Sequence, residues 1–214
     1  TKDFITPYTT CVWTSGGGMI TPRSQGAGGG TQNAGFVAGG GTPGRVACNE
    51  EWDGNQWSAG GALSIVRSAL AGGGTLNAGW VAGGEPAGGT STEEYNGTSW
   101  SESSALSVAL SYTAMAGLQN AAVLMTGYGG SPTGTKACVF EYNGEVWSTS
   151  TAATTAQHNA GGFGTMTSAV LAGGNGDQNC TQHYDSFVAS ASFGKAIATT
   201  VSGDASKLDN LFDK

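Results

Sequence analysis

The chain has 214 residues with a formal net charge of -7, and 38 of its residues are glycine. Lysine and arginine together number 8 and form no cluster, which argues against a surface that follows nucleic-acid phosphates. No apolar stretch reaches the roughly 18 residues that span a bilayer, so we expect no membrane insertion. Length and composition are compatible with one large all-β domain or with a repeat array that shares a core.

A short aromatic motif recurs along the chain. In residues 95–100 it is YNGTSW, and an Asn-Gly pair between two strands is a strong signal for a two-residue β-turn. We therefore expect Tyr95 to face Thr98 and Trp100 to lie opposite Glu93, with both rings on one face of the sheet. The aromatic residues predicted to form the structural core of the repeats are Tyr8, Trp13, Trp52, Trp57, Tyr95, Trp100, Tyr142, Trp147 and Tyr184.

The closing tryptophans divide the chain into repeats with a period of 44, 43 and 47 residues. Each repeat holds a glycine-rich first strand, an apolar second strand, a polar loop, a third strand and, after the aromatic turn, a fourth strand. Four short antiparallel strands at this period indicate one blade of a β-propeller. The predicted blades are residues 14–57, 58–100, 101–147 and 148–187, with first strands starting at Arg23, Arg67, Leu110 and Gln157.

Glycine doublets after the apolar strand, followed by Tyr and Trp in the next two strands, resemble the repeat of the kelch family. The doublets are Gly39-Gly40, Gly83-Gly84 and Gly173-Gly174, whereas the third repeat has Thr126-Gly127 at that place. The resemblance covers most of residues 8–187. It implies an all-β, kelch-like propeller, here with four blades of four antiparallel strands.

The two ends of the repeat array complement each other. The last repeat has Tyr184 but no closing tryptophan, whereas residues 8–13 have the turn and the tryptophan but no repeat before them. We expect residues 8–13 to complete the last blade, with Trp13 in the same sheet as Tyr184, which closes the ring. The alternative is that residues 1–22 finish a blade of an upstream segment or of another subunit.

Two kinds of side chain are expected to serve the structure. Glu51, Glu94 and Glu141 precede the repeat aromatics, and Arg23 and Arg67 are expected to pair with them in inter-strand salt bridges. Three cysteines occupy equivalent places in different blades, too far apart for the ~7 Å Cα limit of a disulfide. We expect Cys48, Cys138 and Cys180 to act as small buried hydrophobic residues, while Cys11 stands outside that pattern.

Residues 188–214 form a tail with a different composition. Its stretch SASFGKAIATTVSGDASKLDN resembles an element found in structural proteins of tailed phages, especially marine ones. That resemblance implies a location in the virion, contacts to other virion proteins through residues 188–214, and a homo-oligomer. The alternative is a plain β extension or a disordered tail.

The residue types give no pattern for catalysis. His158 and His183 lack a third convergent ligand for a metal, so neither a metal nor another cofactor is expected, and we expect no enzyme. The expected function is that of a virion structural protein, as tail fibre, tail appendage or capsid decoration. A free carbohydrate-binding, lectin-like propeller stays open, as does an enzyme of the galactose-oxidase or sialidase type.

Recognition by a propeller is expected from its variable loops. The loops that differ most between the repeats are residues 42–47, 85–90 and 129–136. Contacts to a neighbouring protein or a host-surface glycan are expected there, with Trp80, Tyr112 and Tyr128 as candidate binding residues. Packing between blades is the alternative role for these three aromatic residues.

Overall fold

The computed structural model describes residues 13–86, 89–175 and 179–186. The regular elements in these ranges are strands, and they form four antiparallel sheets arranged in a ring. The predicted all-β, four-bladed propeller is therefore confirmed. Contacts divide the chain into the units Thr1–Tyr184 and Asp185–Lys214. The predictions for Tyr8, for Cys11 and for the tail of residues 188–214 lie outside the described residues.

The first blade contains four strands in the order β1-β2-β5-β6, with a small β3-β4 ladder between its second and third strands. Each pair is antiparallel, as short connections between successive strands require. The strands are β1 (Ala27–Thr31), β2 (Ala34–Ala38), β3 (Gly41–Thr42), β4 (Gly44–Arg45), β5 (Asn49–Trp52) and β6 (Trp57–Ala59).

The other three blades repeat this plan with variations. The second blade has β7 (Ala71–Thr75), β8 (Ala78–Ala82), β9 (Thr92–Tyr95) and β10 (Trp100–Glu102). The third has β11 (Leu110–Ser111), β12 (Ala114–Leu118), β13 (Ala121–Gly129), β14 (Gly134–Tyr142) and β15 (Trp147–Thr149). The described part of the fourth has β16 (Gly161–Gly164), β17 (Ser168–Ala172) and β18 (Thr181–Asp185). The innermost strands contact one another in sequence, β1 with β7, β7 with β12, and β12 with β16.

The innermost strands start later than predicted. The strands β1, β7 and β16 begin four residues after Arg23, Arg67 and Gln157, and in the third blade a break separates β11 from β12. The cause is one residue per blade in the left-handed backbone region, which an extended strand cannot include. These residues are Gln25, Ala69, Tyr112 and Asn159, with φ of 59°, 56°, 54° and 57°.

The aromatic hairpins have a different register from the predicted one. Tyr95 lies opposite Trp100, so the turn contains four residues and not two. The side-chain oxygen of Asn96 accepts hydrogen bonds from the backbone N–H groups of Thr98 and Ser99, at 2.9 Å each. This local bond competes with the two-residue turn and explains the error. The prediction that both rings share one face is correct, since the Tyr95 and Trp100 rings stack at 4.9 Å.

The glycine doublets join one blade to the next. The N–H of Gly84 donates to the carbonyl oxygen of Leu110 in the following blade at 2.8 Å. Its neighbour Gly83 has φ of 70°, and a Cβ there would lie 2.4 Å from the same oxygen. Only glycine fits this approach without displacing the neighbouring backbone. The third blade keeps the bond, from Gly127 N–H to Gln157 O at 2.8 Å, although Thr126 takes the first doublet position with φ of 58°.

Three apolar clusters fill the spaces between consecutive blades. Between the first two blades, Phe36 packs edge-on against Trp100 at a ring distance of 5.7 Å. Between the second and third, Trp80 packs edge-on against Trp147 at 5.9 Å. An aromatic side chain buries on the order of 150–250 Å², so a few rings supply a core to a glycine-rich chain. The third cluster contains Ala114, Ala116, Val123, Met125, Val139, Ala169 and Leu171.

Trp13 differs from the other predicted core aromatics. It lies in no strand and is 98% exposed, so it neither pairs with Tyr184 nor belongs to a core cluster. The segment that follows it lies against the first blade, where Gly17 approaches Asn55. No described strand runs beside Trp13 to supply a surface on which it could pack. Closure of the ring by residues 8–12 lies outside the described residues and stays a prediction.

The other core aromatics pack within the blades or between them. Tyr95, Trp100 and Tyr142 are buried. The half-buried ones are Trp52, Trp57, Trp147 and Tyr184.

The arginines pair with a different glutamate from the predicted one. Arg67 and Glu93, both fully buried, form an ion pair at 2.8 Å, and Arg23 pairs with Glu50. Glu51 and Glu94, the predicted partners, are one residue further along each strand and therefore face the opposite side of the sheet. Arg23 and Arg67 therefore form salt bridges as predicted, but with Glu50 and Glu93 and from positions that precede the strands, so the predicted inter-strand pairing with Glu51 and Glu94 is wrong.

Glu51, Glu94 and Glu141 instead bond the next blade along the ring. Tyr142 donates its hydroxyl hydrogen to Glu94 at 2.5 Å, and Tyr95 and Tyr184 donate to Glu51 and Glu141. Burial raises the pKa of Tyr142 to about 12, and its bond to Glu94 contributes in the same direction. These bonds give three successive blade pairs the same polar contact.

The cysteines follow the expectation in part. Cys48, Cys138 and Cys180 lie in three different blades, and no disulfide joins them to one another. All three are half-buried, so they are less buried than predicted. The Cys180 sulfur accepts a hydrogen bond from the Gln157 side chain at 2.9 Å.

Candidate binding site on the loop face

One residue per blade reaches the ring axis just before the innermost strand. Gln25, Ala69, Tyr112 and Asn159 take this place, and all four have positive φ. A non-glycine residue pays about 1–2 kcal/mol for this conformation, with Asn the exception that tolerates it best. Four equivalent strained positions around one axis identify a site that the surrounding blades hold in place.

Backbone hydrogen bonds connect these four residues in sequence. The Ala69 N–H donates to the Gln25 carbonyl, the Tyr112 N–H to the Ala69 carbonyl, and the Asn159 N–H to the Tyr112 carbonyl, each at 2.9 Å. Each bond crosses from one blade to the preceding one. The backbone at the axis is therefore rigid, and its geometry is set by the packing of the blades.

The axial residues surround an open pocket of ≈ 280 Å³, called the axial pocket below. The side chains around it are two amides, a phenol, a hydroxyl and small alkyl groups, and no Asp, Glu, Lys, Arg or His is among them. Such a wall offers hydrogen bonds of both polarities together with an aromatic surface. The lining residues are Gln25, Gly26, Ala69, Leu70, Tyr112, Thr113, Asn159 and Ala160.

An aromatic platform adjoins the axial pocket on the side of the third and fourth blades. It consists of Tyr112, Tyr128 and His158, with ring distances of 6.4 Å from His158 to Tyr112 and 5.3 Å to Tyr128. The Thr135 hydroxyl lies 3.1 Å from His158 Nδ1 and orients the imidazole. Tyr128 is 37% exposed, so the platform is accessible from solvent.

The variable loops emerge on the same face as the axial pocket. Ser24, Ser68 and Ser111, each next to an axial residue, pair with the starts of these loops at Gly41, Glu85 and Tyr128. Two loops touch each other through an exposed ion pair between Arg45 and Glu85 at 3.1 Å. Exposed pairs of this kind contribute about 0–1 kcal/mol. This side of the ring is called the loop face below.

The structure separates the three aromatic residues that the sequence singled out. Trp80 is fully buried between the second and third blades, so the prediction of a binding role is corrected to one of packing. Tyr112 and Tyr128 lie together on the loop face, around His158. Of the three candidates, these two belong to an accessible site.

The sequence alone missed Gln25, His158 and Asn159 as members of this site. The signal lies in the repeat alignment: Gln25 and Asn159 share one column with Ala69 and Tyr112. The composition of that column gives no sign that the backbone adopts a left-handed conformation with positive φ there. From the sequence alone, His158 is considered only as a metal ligand, because its aromatic neighbours Tyr112 and Tyr128 come from another blade and are distant in sequence.

The described residues carry neither a cluster of metal-ligating side chains nor a membrane-spanning helix. Their His, Cys, Asp and Glu side chains form no group of three that could hold a metal ion. They include no helix with the length and apolarity to cross a bilayer. Comparison with the models of known protein families and with curated protein sequences finds no match. The propeller fold therefore rests on the strand order and on the contacts between blades.

Proposed function

We propose that the chain is a non-enzymatic recognition module of a tailed-phage particle, in which a kelch-like propeller displays its loop face to a protein or a host-surface glycan. One observation carries the proposal: the variable loops, the aromatic platform and the axial pocket are gathered on one face of the ring. The blades beneath are tied together by buried rings and by Tyr–Glu bonds. A rigid scaffold that carries variable loops suits recognition.

The resemblances described for the sequence support the placement on a virion. The glycine doublets and the Tyr–Trp hairpins resemble kelch repeats, and residues 190–210 resemble an element of tailed-phage structural proteins. We assign to residues 188–214 the contact with other virion proteins. The protein is expected to act there as a homo-oligomer, in a tail fibre, another tail appendage or a capsid decoration.

The side chains of the candidate site support binding as its role. Amides, hydroxyls and phenol rings hold a ligand through hydrogen bonds and ring contacts without a change of its covalent structure. The net charge of -7 disfavours a nucleic-acid partner. The proposal accordingly has no cofactor, no nucleic acid and no insertion into a membrane.

Mass spectrometry of purified phage particles tests the proposal. Peptides from this chain should be present at a constant ratio to the major capsid protein through successive density gradients. Recombinant chain added to a lysate before purification serves as the control for adsorption and should be lost. Particles that contain no peptide of this chain would contradict the virion role.

A second candidate is a free, lectin-like propeller that binds carbohydrate outside any particle. The accessible aromatic platform is the observation that favours it. The two candidates differ in where the protein is found, because a free lectin would be recovered from the medium and not from the purified particles.

A further inference from the structure

We infer that the axial pocket and the aromatic platform together bind a neutral oligosaccharide, with one sugar unit in the pocket and the next on the platform. The inference rests on the recognition function proposed above and specifies its ligand class and its site. Tyr112 belongs to both the axial pocket and the platform, so the two parts are continuous.

The platform offers the surface on which sugar rings pack. One side of a pyranose ring carries several C–H groups that are slightly positive, and the face of an aromatic ring is slightly negative. Tyr128 is 37% exposed and has the His158 ring beside it at 5.3 Å, inclined by 54°, so one exposed ring with a second aromatic ring at an angle to it is open to a ligand. The bond between Thr135 and His158 holds that surface in place before a ligand arrives.

The axial pocket supplies hydrogen-bonding groups that the protein does not use. Gln25 and Asn159 are exposed, and among the described residues neither side-chain amide has a hydrogen-bond partner. An amide can both donate and accept, and sugar hydroxyls do the same.

Charge selects a neutral sugar over an acidic one. No residue that lines the axial pocket is charged. The loop-face cations are engaged elsewhere: Arg45 pairs with Glu85, and the Lys136 ammonium donates to the Pro132 carbonyl at 2.6 Å. Recognition of a sialic acid or a sulfate calls for a cation directed at the anion. The net charge of -7 adds a long-range repulsion for anions.

The size and the rigidity of the axial pocket are suited to a short saccharide. The pocket volume of ≈ 280 Å³ lies just below the range of about 300–1,000 Å³ that is typical of small-molecule pockets, so it suits one sugar unit. The left-handed backbone of Gln25, Tyr112 and Asn159 is fixed by bonds between blades. A site that is already ordered loses little conformational entropy when it binds.

The test uses the purified full chain on a glycan array. The array carries neutral oligosaccharides of glucose, galactose, mannose and N-acetylglucosamine, together with sialylated and sulfated ones. Binding to at least one neutral oligosaccharide is expected, with no signal for acidic forms of the same core. Titration calorimetry with the strongest neutral binder then gives the affinity.

Two variants locate the site. Asn159→Gly removes the amide but keeps the backbone, because glycine adopts positive φ without strain. Tyr128→Ala removes the exposed ring of the platform. The double variant is expected to bind at least tenfold more weakly, with an unchanged melting temperature. Phe163→Ala is the matched control, since that ring is 61% exposed but belongs to neither part of the site.

The outcomes separate this inference from the proposed function. A chain that binds no neutral oligosaccharide, prefers an acidic one, or binds equally well in the double variant would overturn the inference. If that chain is nevertheless found in virions, the display function stands with a different partner, which is an acidic glycan if the array shows one and a protein if no glycan binds. Loss of binding in the double variant, with retention in Phe163→Ala, supports the inference whether or not the chain is found in particles.

Discussion

The buried Arg67 guanidinium shows how single residues vary between blades without loss of the fold. Its terminal nitrogens donate to the carbonyls of Gly83 and Ser91 and to Glu93. In the third blade, the aligned positions hold Leu110 and Phe140, which are buried in an apolar cluster. An ion pair and an apolar pair therefore occupy equivalent sites in neighbouring blades.

This equivalence predicts that the second blade accepts the residues of the third. Arg67→Leu alone leaves the Glu93 carboxylate buried without its cation, and we expect a loss of about 3–5 kcal/mol in the free energy of unfolding. The double variant Arg67→Leu/Glu93→Phe should recover more than half of that loss. Urea unfolding of both variants measures the difference.

A matched control is the exposed pair Arg45–Glu85. Arg45→Leu should change the free energy of unfolding by less than about 1 kcal/mol. A double variant that is no more stable than Arg67→Leu would show that the ion pair has a role that the apolar pair cannot take over.

Tyr142 gives a prediction for alkaline pH. Its pKa is raised to about 12 by burial and by Glu94, whereas an unfolded tyrosine titrates near pH 10. Its contribution to stability is therefore fully present below pH 10 and is lost as the pH rises through about 12. Between pH 9 and pH 12, the free energy of unfolding of the wild type should fall by roughly 2 kcal/mol more than that of Tyr142→Phe, as measured by urea unfolding at each pH. Tyr128→Phe, at an exposed position, should behave as the wild type, and an equal loss in all three proteins would contradict the assignment.

Among the elements, the segment between the second and third strands of each blade depends most on backbone conformation. In three blades it begins with a glycine doublet in which both residues have positive φ. In the third blade Thr126 takes the first place, with φ of 58° and a buried, unsatisfied hydroxyl. A β-branched residue is poorly suited to this region, so the third blade carries local strain that the others avoid.

Replacement of Thr126 by glycine is therefore expected to stabilise the protein. The stability gained by relieving the strain and removing the unsatisfied hydroxyl should exceed the stability lost with the side-chain contacts of Thr126. We expect the free energy of unfolding to rise by about 1 kcal/mol. Thermal unfolding measures the change. Thr75→Gly in the extended strand β7 is the control, and it should destabilise by roughly 1 kcal/mol. A loss of stability in Thr126→Gly similar to that of the control would argue against strain at this position.

At the scale of the whole molecule, the ring has a seam of a different kind between the fourth and first blades. The three pairs of blades that follow each other in the sequence, first with second, second with third and third with fourth, are joined by apolar clusters and by Tyr–Glu hydrogen bonds. Within the described residues no buried cluster joins the fourth blade to the first, and the residues aligned with such a Tyr–Glu pair are Trp52 and His183. Trp13, the residue predicted to lie in the last blade, is exposed to solvent.

The exposure of Trp13 is directly testable. Trp13→Ala should change the free energy of unfolding by less than about 0.5 kcal/mol, as expected for a surface position. Trp100→Ala, in the cluster between the first two blades, should cost about 3–5 kcal/mol. A large effect of Trp13→Ala would indicate that this residue packs into a blade, as first predicted from the repeat spacing.

Much of the fold was predictable because each blade is a local unit. The glycine doublets, the apolar second strands and the Tyr–Trp hairpins are encoded within about forty-five residues, and their period indicates the propeller. The candidate site was predictable only in part. Tyr112 and Tyr128 follow from the comparison of loops, whereas Gln25 and Asn159 owe their places to a backbone bend with no compositional signal.

By itself, the sequence determined the class of the fold and the number of blades, because strand periodicity and turn chemistry act over short distances. Only the tertiary structure decided which glutamate meets Arg67, that Trp80 is buried, and that Tyr112, Tyr128 and His158 form one platform. Those placements depend on which face of each strand meets the neighbouring blade. A shift of one residue reverses that face, and the repeat spacing does not specify it.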